Sequence, residues 1–398
     1  MKSKSLNQST VLLMAISAAI VVANINYIQP IEAEIAQQFN LANAVVGAVA
    51  MITQLGYAFG LLLIVPMGDI VNRRTLIMRL LILAIISALL AYLAPNIWIY
   101  AIASLLIGIT SVAPQVIIPY AGFLAPTGQR GRVLGNVLSG LLVGVLLSRT
   151  VSGVLASYLP WQTVYLIAAV MIGLLWLVLW RKLPRDPRPT PTVSYRTMIK
   201  TVPKLVKQYP VLRASAVNGF VLFGVSNIFW ATLVFYLQHQ YGWGSREAGL
   251  LALLGVTGVL AAPLIGRLAD IFKPRTIIGL GLVLSTIAYV VFGLWATHIW
   301  GLVLGIIILD LGTQFGQVAN QARIQSIDPK ASSRFNSVFM FGYFLGGAMG
   351  SFFGNLLWGL AGWTGVCGLA VVVLVCGFYA HFVHYPHVLK RQATSLNQ

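Results

Sequence analysis

Gly266-Arg267-Leu268-Ala269-Asp270-Ile271-Phe272-Lys273-Pro274-Arg275 stands between two long apolar runs. Half a chain earlier, between two other runs, stands Val65-Pro66-Met67-Gly68-Asp69-Ile70-Val71-Asn72-Arg73-Arg74. Each stretch sets a carboxylate four or five residues before an arginine, where one apolar segment gives way to the next. At helix ends such pairs form charge-assisted bonds and complement helix dipoles. Two copies in corresponding places mean that the chain is built from two similar halves.

Composition sets the class. The 398 residues are 58% hydrophobic and only 9% charged, with a mean hydropathy of +0.86, against about 25% charged in soluble domains. The apolar runs are read as membrane spans at 11–34, 43–67, 75–95, 98–123, 132–156, 162–181, 211–238, 246–268, 275–296, 299–322, 334–358 and 363–385, each near the ~20 residues a bilayer requires. With a cytoplasmic amino terminus, all of the 26 Lys and Arg except Arg149 and Arg246 fall on the cytoplasmic side. This positive-inside bias places both termini in the cytoplasm. The net charge of +18 therefore does not point to nucleic acid, since the basic residues are spread over span ends instead of forming one reading surface.

The apolar run after Lys2 and Lys4 continues past the length of a signal peptide into Asn24-Ile25-Asn26-Tyr27-Ile28-Gln29-Pro30, so it reads as an uncleaved first span. Cys367 and Cys376 lie nine residues apart in the last span, on opposite helix faces, where they cannot bridge each other. The segment from Arg181 to Arg213 carries Pro184, Pro187, Pro189, Pro191 and nine Lys or Arg. It reads as a cytoplasmic linker along anionic headgroups, with a short amphipathic helix around Tyr195 to Gln208. The expected organisation is an N-terminal six-helix bundle over 1–181, the linker over 182–210 and a C-terminal six-helix bundle over 211–398.

On these motifs the chain resembles the major facilitator superfamily. The second loop keeps Gly266, Leu268, Ala269, Asp270 and Arg275 of that family's loop signature, whereas the first has Val65 in place of the leading glycine. The resemblance implies an all-α integral membrane protein of twelve transmembrane helices. Its two six-helix bundles are related by a pseudo-two-fold axis and rock around a central site. It makes Asp69, Arg73, Arg74, Asp270 and Arg275 a conformational latch. In span five, Gly144, Ser148, Arg149, Ser152 and Gly153 occupy places of the superfamily's antiporter motif, with Arg149 where that motif has proline. Arg149 lies ~25 Å along the helix from Arg132. It can pair with substrate, pair with Glu32 or Glu34, or snorkel to the outer headgroups.

Gly140, Gly144, Ser148 and Ser152, and likewise Gly342, Gly346, Gly350 and Gly354, recur every fourth residue and let another helix approach closely. From the family's architecture they are expected to form sliding surfaces between the bundles.

Substrate-binding groups are expected on spans one, four, seven and ten, again by resemblance. In span ten, Asp310, Gln314, Gln317 and Gln321 fall within a ~60° sector of the helix. Asp310 reads as the only carboxylate deep inside a span, and intramembrane carboxylates mark ion paths and proton relays. Asn26 with Gln29, Ser111 with Gln115, and Asn227 with Trp230 each share a face at helical spacing; Pro30, Pro114 and Pro119 are candidate kinks. Neutral amides and aromatics suit an amphipathic organic solute. The reading is a secondary active transporter, exporting such a solute in exchange for protons taken up by Asp310. Import by proton symport or facilitation is the alternative, which Arg149 would fit for an anionic solute; a non-transporting receptor is the remote one. The expected setting is a bacterial cytoplasmic membrane, with the chain functional as a monomer. No cofactor is expected and no P-loop for ATP is present. No Ser/His/Asp set or metal cluster lies within the spans, so an enzyme is not expected. His381, His384 and His387 share a helical face that reads as cationic rather than metal-binding.

Overall fold

The structure is a computed structural model, describing residues 8–126, 129–184, 195–325 and 332–384. Among these residues it is all helix, without strands, because a span with no water to satisfy its backbone must close every N–H···O=C bond internally. The helices are α1 (Gln8–Ala23), α2 (Glu32–Phe39), α3 (Asn43–Leu63), α4 (Arg73–Tyr92), α5 (Ile97–Thr110), α6 (Ala113–Leu124), α7 (Arg130–Tyr158), α8 (Thr163–Lys182) and α9 (Tyr195–Gln208). They continue as α10 (Pro210–Tyr241), α11 (Ser245–Leu251), α12 (Val256–Ile271), α13 (Pro274–Trp295), α14 (Ile299–Gln325) and α15 (Ser332–Phe378), which ends in a π-helical turn over Tyr379–His384. Ten stretches are long and apolar enough to cross a membrane. With the shorter Gln8–Ala23, and with Arg334–Val383 divided at Gly362, they make the twelve expected spans. Gly362 divides that last run because it adopts φ 58°, ψ −149°, a region open in practice only to glycine. The linker helix expected around Tyr195 to Gln208 is α9.

Span one departs from the expectation of a continuous helix. α1 stops at Ala23, the chain turns through Asn24–Ile28, and a 3₁₀ turn over Gln29–Ile31 leads into α2. Pro30 has no N–H and its ring excludes a helical carbonyl at Asn26, so the Gln29 N–H bonds the Asn26 carbonyl instead. Upstream, the Asn24 amide donates to the Val21 carbonyl at 3.0 Å and competes with the backbone ladder. Span four also breaks, between α5 and α6 at Ser111–Val112, with Pro114 in the first turn of α6. Polar caps define the intact helix starts: Asn72 accepts from the Thr75 N–H and Asn96 from the Ile99 N–H.

The chain groups into two compact units. Unit 1 comprises Met1–Phe39, Ile52–Met198 and Gly244–Ala252; unit 2 comprises Asn40–Met51, Ile199–Trp243 and Leu253–Gln398. The glycine rows pack inside these units, which corrects their expected place as sliding surfaces between bundles. Gly140 and Gly144 lie against the backbone of Ala15 and Ala19 in α1, and Gly342, Gly346 and Gly350 against Ala216, Phe220 and Gly224 in α10. Within unit 1, Gly153 faces Ser245, and the Thr150 hydroxyl donates to the Gly249 carbonyl at 2.7 Å.

The repeat in the two loops reappears in three dimensions. Arg74 donates to the carbonyl of Trp180 at the end of α8, and Arg275 donates to the carbonyl of Phe382 in the turn after α15. In each half, the arginine five residues after the loop carboxylate ties the start of the third span to the last turns of the sixth. It supplies donors to carbonyls that a helix terminus leaves open.

Candidate functional site

In unit 1 the break in span one turns polar groups inward. Gln29 is buried, and its Oε1 accepts a hydrogen bond from Arg149 Nε at 2.6 Å. Arg149 is half-buried and bonded to a side chain of its own unit. Asn26 is also buried, but it sits in the turn before the 3₁₀ segment. Asn26 and Gln29 are joined across a tight i,i+3 turn in place of the continuous α-helix expected there, because Pro30 breaks the α-helical ladder.

Glu32, in the first turn of α2, has no exposed surface at all. Asp310 is only half-buried. Of these two acids, Glu32 is the more enclosed by protein. In the same unit the Tyr100 and Tyr165 hydroxyls hydrogen-bond each other at 2.6 Å. Trp161 stands edge-on to both rings, with centroids at 5.1 and 6.2 Å. The sequence offered one faint signal, an acid two residues after a proline inside an apolar run. Across span four, Gln115 Nε2 donates to the Tyr57 hydroxyl at 3.3 Å. Ser111, on the other side of the helix break from Gln115, is buried, and its Oγ has no partner among the described residues.

In unit 2 the polar stripe of α14 is real. Asp310, Gln314, Gln317 and Gln321 are all half-buried while Leu309, Gly312, Gly316 and Ala319 on the other side are buried. Its neighbours come from α12 and α15. A Cβ on Gly258 would lie 3.0 Å from Gln314 Cγ and 3.3 Å from the Asp310 carbonyl, so α12 approaches this face closely only because residue 258 lacks a side chain. The Tyr343 hydroxyl donates to Gln317 Oε1 at 3.3 Å, and the Tyr343 ring stacks on Phe223 at 4.0 Å. Asn227, one turn beyond Phe223, is fully enclosed, with its amide donating to the Phe223 carbonyl; Trp230 is buried beside Phe229. The structure thus brings Gln317, Tyr343, Phe223 and Asn227 into one amide-and-aromatic surface, with Gln314 and Asp310 farther along the stripe.

Of the expected latch, the arginines are described and the side chains of Asp69 and Asp270 lie outside the described residues. Arg73 Nε donates to the Gly68 carbonyl at 2.9 Å and its guanidinium lies over the Phe123 ring. Arg275 lies over the Phe382 ring. His381 is buried, with Nδ1 on the Asn218 amide at 3.1 Å and Nε2 on the Arg275 carbonyl at 2.9 Å, so both ring nitrogens are engaged in packing α15 to its neighbours. The π-helical turn disrupts the α-helical spacing assumed for His381 and His384; the side chain of His384 and all of His387 lie outside the described residues. No cluster of three or more metal-ligating side chains occurs among the described residues.

Comparison with known proteins agrees with this architecture. The profile of the Major Facilitator Superfamily matches residues 11–243 and 215–397. The chain is 35% identical over 363 residues to the uncharacterized transporter YgaY of Escherichia coli O157:H7, covering 91% of this chain and 92% of that protein. It is 30% identical over 370 residues to a probable transporter of Streptomyces coelicolor, covering 92% and 86%. Its fold is similar to that of a bacterial homologue of the human lysosomal transporter Spinster, in an inward-facing, unoccupied conformation, with a TM-score of 0.77 at 17% identity over 96% of this chain and 98% of that one. With twelve spans, two copies of the Asp/Arg loop and a family match along nearly its whole length, the chain belongs to the Major Facilitator Superfamily and is a multi-pass membrane transporter of a small-molecule substrate, not an enzyme.

Proposed function

We propose that this transporter exports a small amphipathic organic solute in exchange for protons by alternating access, with Asp310 as a proton-carrying residue. The observation that carries the reading is the α14 stripe. A carboxylate and three glutamines occupy one face of a largely apolar span and stay half-buried, where an ionisable group is costly unless it serves a path. The Phe223–Tyr343 stack beside Gln317 suits the apolar part of a solute whose polar part meets the amides. In this reading the bundles are 1–181 and 211–398, joined by the linker over 182–210. The termini face the cytoplasm, and one chain suffices in a bacterial cytoplasmic membrane. Arg149 favours a second reading, import of an anionic solute by proton symport, since its guanidinium matches a carboxylate or phosphate.

The test is solute-triggered proton movement in proteoliposomes with ethidium, glucose and benzoate, comparing wild type with Asp310→Asn. Ethidium flux opposed to proton flux and lost in the variant supports export. Benzoate moving with protons selects the second reading. Flux of any of the three that ignores the proton gradient and survives Asp310→Asn overturns the coupling.

A further inference from the structure

We propose that His381 is a positioning residue of this transporter: as a neutral imidazole protonated on Nε2 it joins Asn218 on α10 to Arg275, the arginine of the second Asp/Arg loop. Its bearing on transport rests on the alternating-access reading above. The starting observation is a reciprocal pair of bonds. His381 Nε2 lies 2.9 Å from the Arg275 carbonyl oxygen, and the Arg275 guanidinium donates to the carbonyl of the next residue, Phe382, at 3.2 Å. Main chain and side chain of one arginine are thus bonded to two consecutive residues. The Phe382 ring lies under the guanidinium, 5.7 Å from it to the centroid, and its Cζ would stand 2.8 Å from a Cβ on Gly279, one turn into α13.

Hydrogen-bond chemistry fixes the form of the ring. A carbonyl only accepts, so Nε2 carries a proton. Nδ1 lies 3.1 Å from Asn218 Nδ2; an amide nitrogen only donates, so Nδ1 is bare and the imidazole neutral. The alternative is a turned amide. Asn218 Oδ1 is buried and has no partner among the described residues, so turning it toward Nδ1 breaks no bond of that oxygen, but it demands a proton on Nδ1. If that proton comes from Nε2, the Arg275 carbonyl loses its donor. If it comes from outside, a second positive charge stands beside Arg275 in a site 4% exposed, and neither α10 nor α13 carries an Asp or Glu. Only the neutral form protonated on Nε2 keeps both bonds without added charge.

The first half makes the corresponding tie without a histidine. Arg74 donates to the Trp180 carbonyl, and the residue before Trp180 is Leu179, buried and with no polar side-chain atom. A half can therefore close its third span on its sixth with the arginine alone. The added bond in unit 2 serves something other than the fold of a half: it fixes the main chain from which the Arg275 side chain departs. The local backbone differs accordingly, since α8 stays α-helical to Lys182 whereas α15 ends in the π-helical turn over Tyr379–His384, a distortion that recurs at functional sites.

The test has one arm without substrate and one with it. Full-length protein in phosphatidylethanolamine/phosphatidylglycerol nanodiscs, with its five histidines isotope-labelled at nitrogen, is followed by nuclear magnetic resonance at neutral pH; the His381 signals are those lost in His381→Gln. Expected are a protonated Nε2 and a bare Nδ1 in the wild type, and two protonated nitrogens in Asn218→Asp, whose carboxylate only accepts. A bare Nε2 or a doubly protonated ring in the wild type overturns the assignment. Positioning is read by hydrogen–deuterium exchange in the first turn of α13, where the Thr276 and Ile277 N–H groups bond the Lys273 carbonyl. His381→Phe, which loses both bonds, should raise exchange there and slow solute flux in proteoliposomes several-fold. His381→Gln, whose amide offers one donor and one acceptor, should bring both close to wild type. His381→Asn, long enough for Asn218 but not for the Arg275 carbonyl, should raise exchange as well and decides the point where His381→Phe fails to fold. Exchange at the wild-type level in His381→Asn, or raised equally in His381→Gln, overturns the positioning; raised exchange with unchanged flux overturns its part in transport. Where ethidium, glucose and benzoate all fail to move in the wild type, it is the transport reading that fails, and tautomer and exchange still decide the role of His381.

Discussion

Replacing Gly346 by alanine tests whether the close approach of α15 to α10 supports unit 2. A Cβ at this position would overlap the Phe220 carbonyl oxygen and lie 2.6 Å from Phe220 Cα. These obstacles are all backbone atoms, so no rotamer change relieves them. Raising that carbon–carbon distance to the 3.4 Å where ordinary contact begins requires the helices to part by ~0.8 Å, which forfeits about a quarter to a half of the dispersion energy along the seam. Overpacking of this kind typically costs about 1–3 kcal/mol. The control lies in the helix beyond Gly362: Gly368 has nothing within 4 Å of its would-be Cβ, so Gly368→Ala should stabilise by about 0.5–1 kcal/mol through helix propensity alone. The two substitutions are chemically identical and should differ in sign, separated by about 1.5–4 kcal/mol. Equilibrium unfolding in mixed micelles measures the difference, with thermal denaturation in detergent as a check. Equal effects, or a more stable Gly346→Ala, would refute the claim that backbone contact at this row holds α10 and α15 together.

Other outcomes are as definite. Arg149→Leu leaves Gln29 Oε1 buried without its donor and should destabilise by about 1–3 kcal/mol; in a double-mutant cycle with Gln29→Leu, read by the same unfolding assay, the coupling should be about 0.5–1.5 kcal/mol, and zero coupling would contradict the bond. Gly362→Ala places a Cβ at φ 58° and should cost about 1–3 kcal/mol, seen as a lowered unfolding midpoint, with no gain from helix propensity. Gly258→Val should reduce solute flux in vesicles several-fold by driving α12 off Gln314 and the Asp310 carbonyl, while Gly266→Ala in the same helix, where nothing lies within 4 Å, should leave flux near wild type.

Long apolar runs and clustered charge made the spans legible from composition and order, because a membrane helix satisfies its own backbone and advertises itself by hydropathy alone. The same holds for α9, whose pattern is local, and for the α14 stripe, where Asp310, Gln314, Gln317 and Gln321 share a face by helical geometry whatever surrounds them. The continuous helix expected through Asn26 and Gln29 failed for the converse reason: the missing donor and ring clash of Pro30 break the α-helical ladder, leaving the two residues joined across a tight turn.

Sequence alone determined the class, the twelve spans, the doubled Asp/Arg loop and the polar face of α14, all of which follow from neighbours close along the chain. Tertiary structure decided what those features touch. A glycine every fourth residue specifies close approach but not the partner, and only the fold showed Gly140 against Ala15 and Gly346 against Phe220. An acid at the fading end of an apolar run can be wet or enclosed, and only the folded chain shows Glu32 enclosed. Burial is a property of the space that distant segments fill, and local sequence does not encode that space.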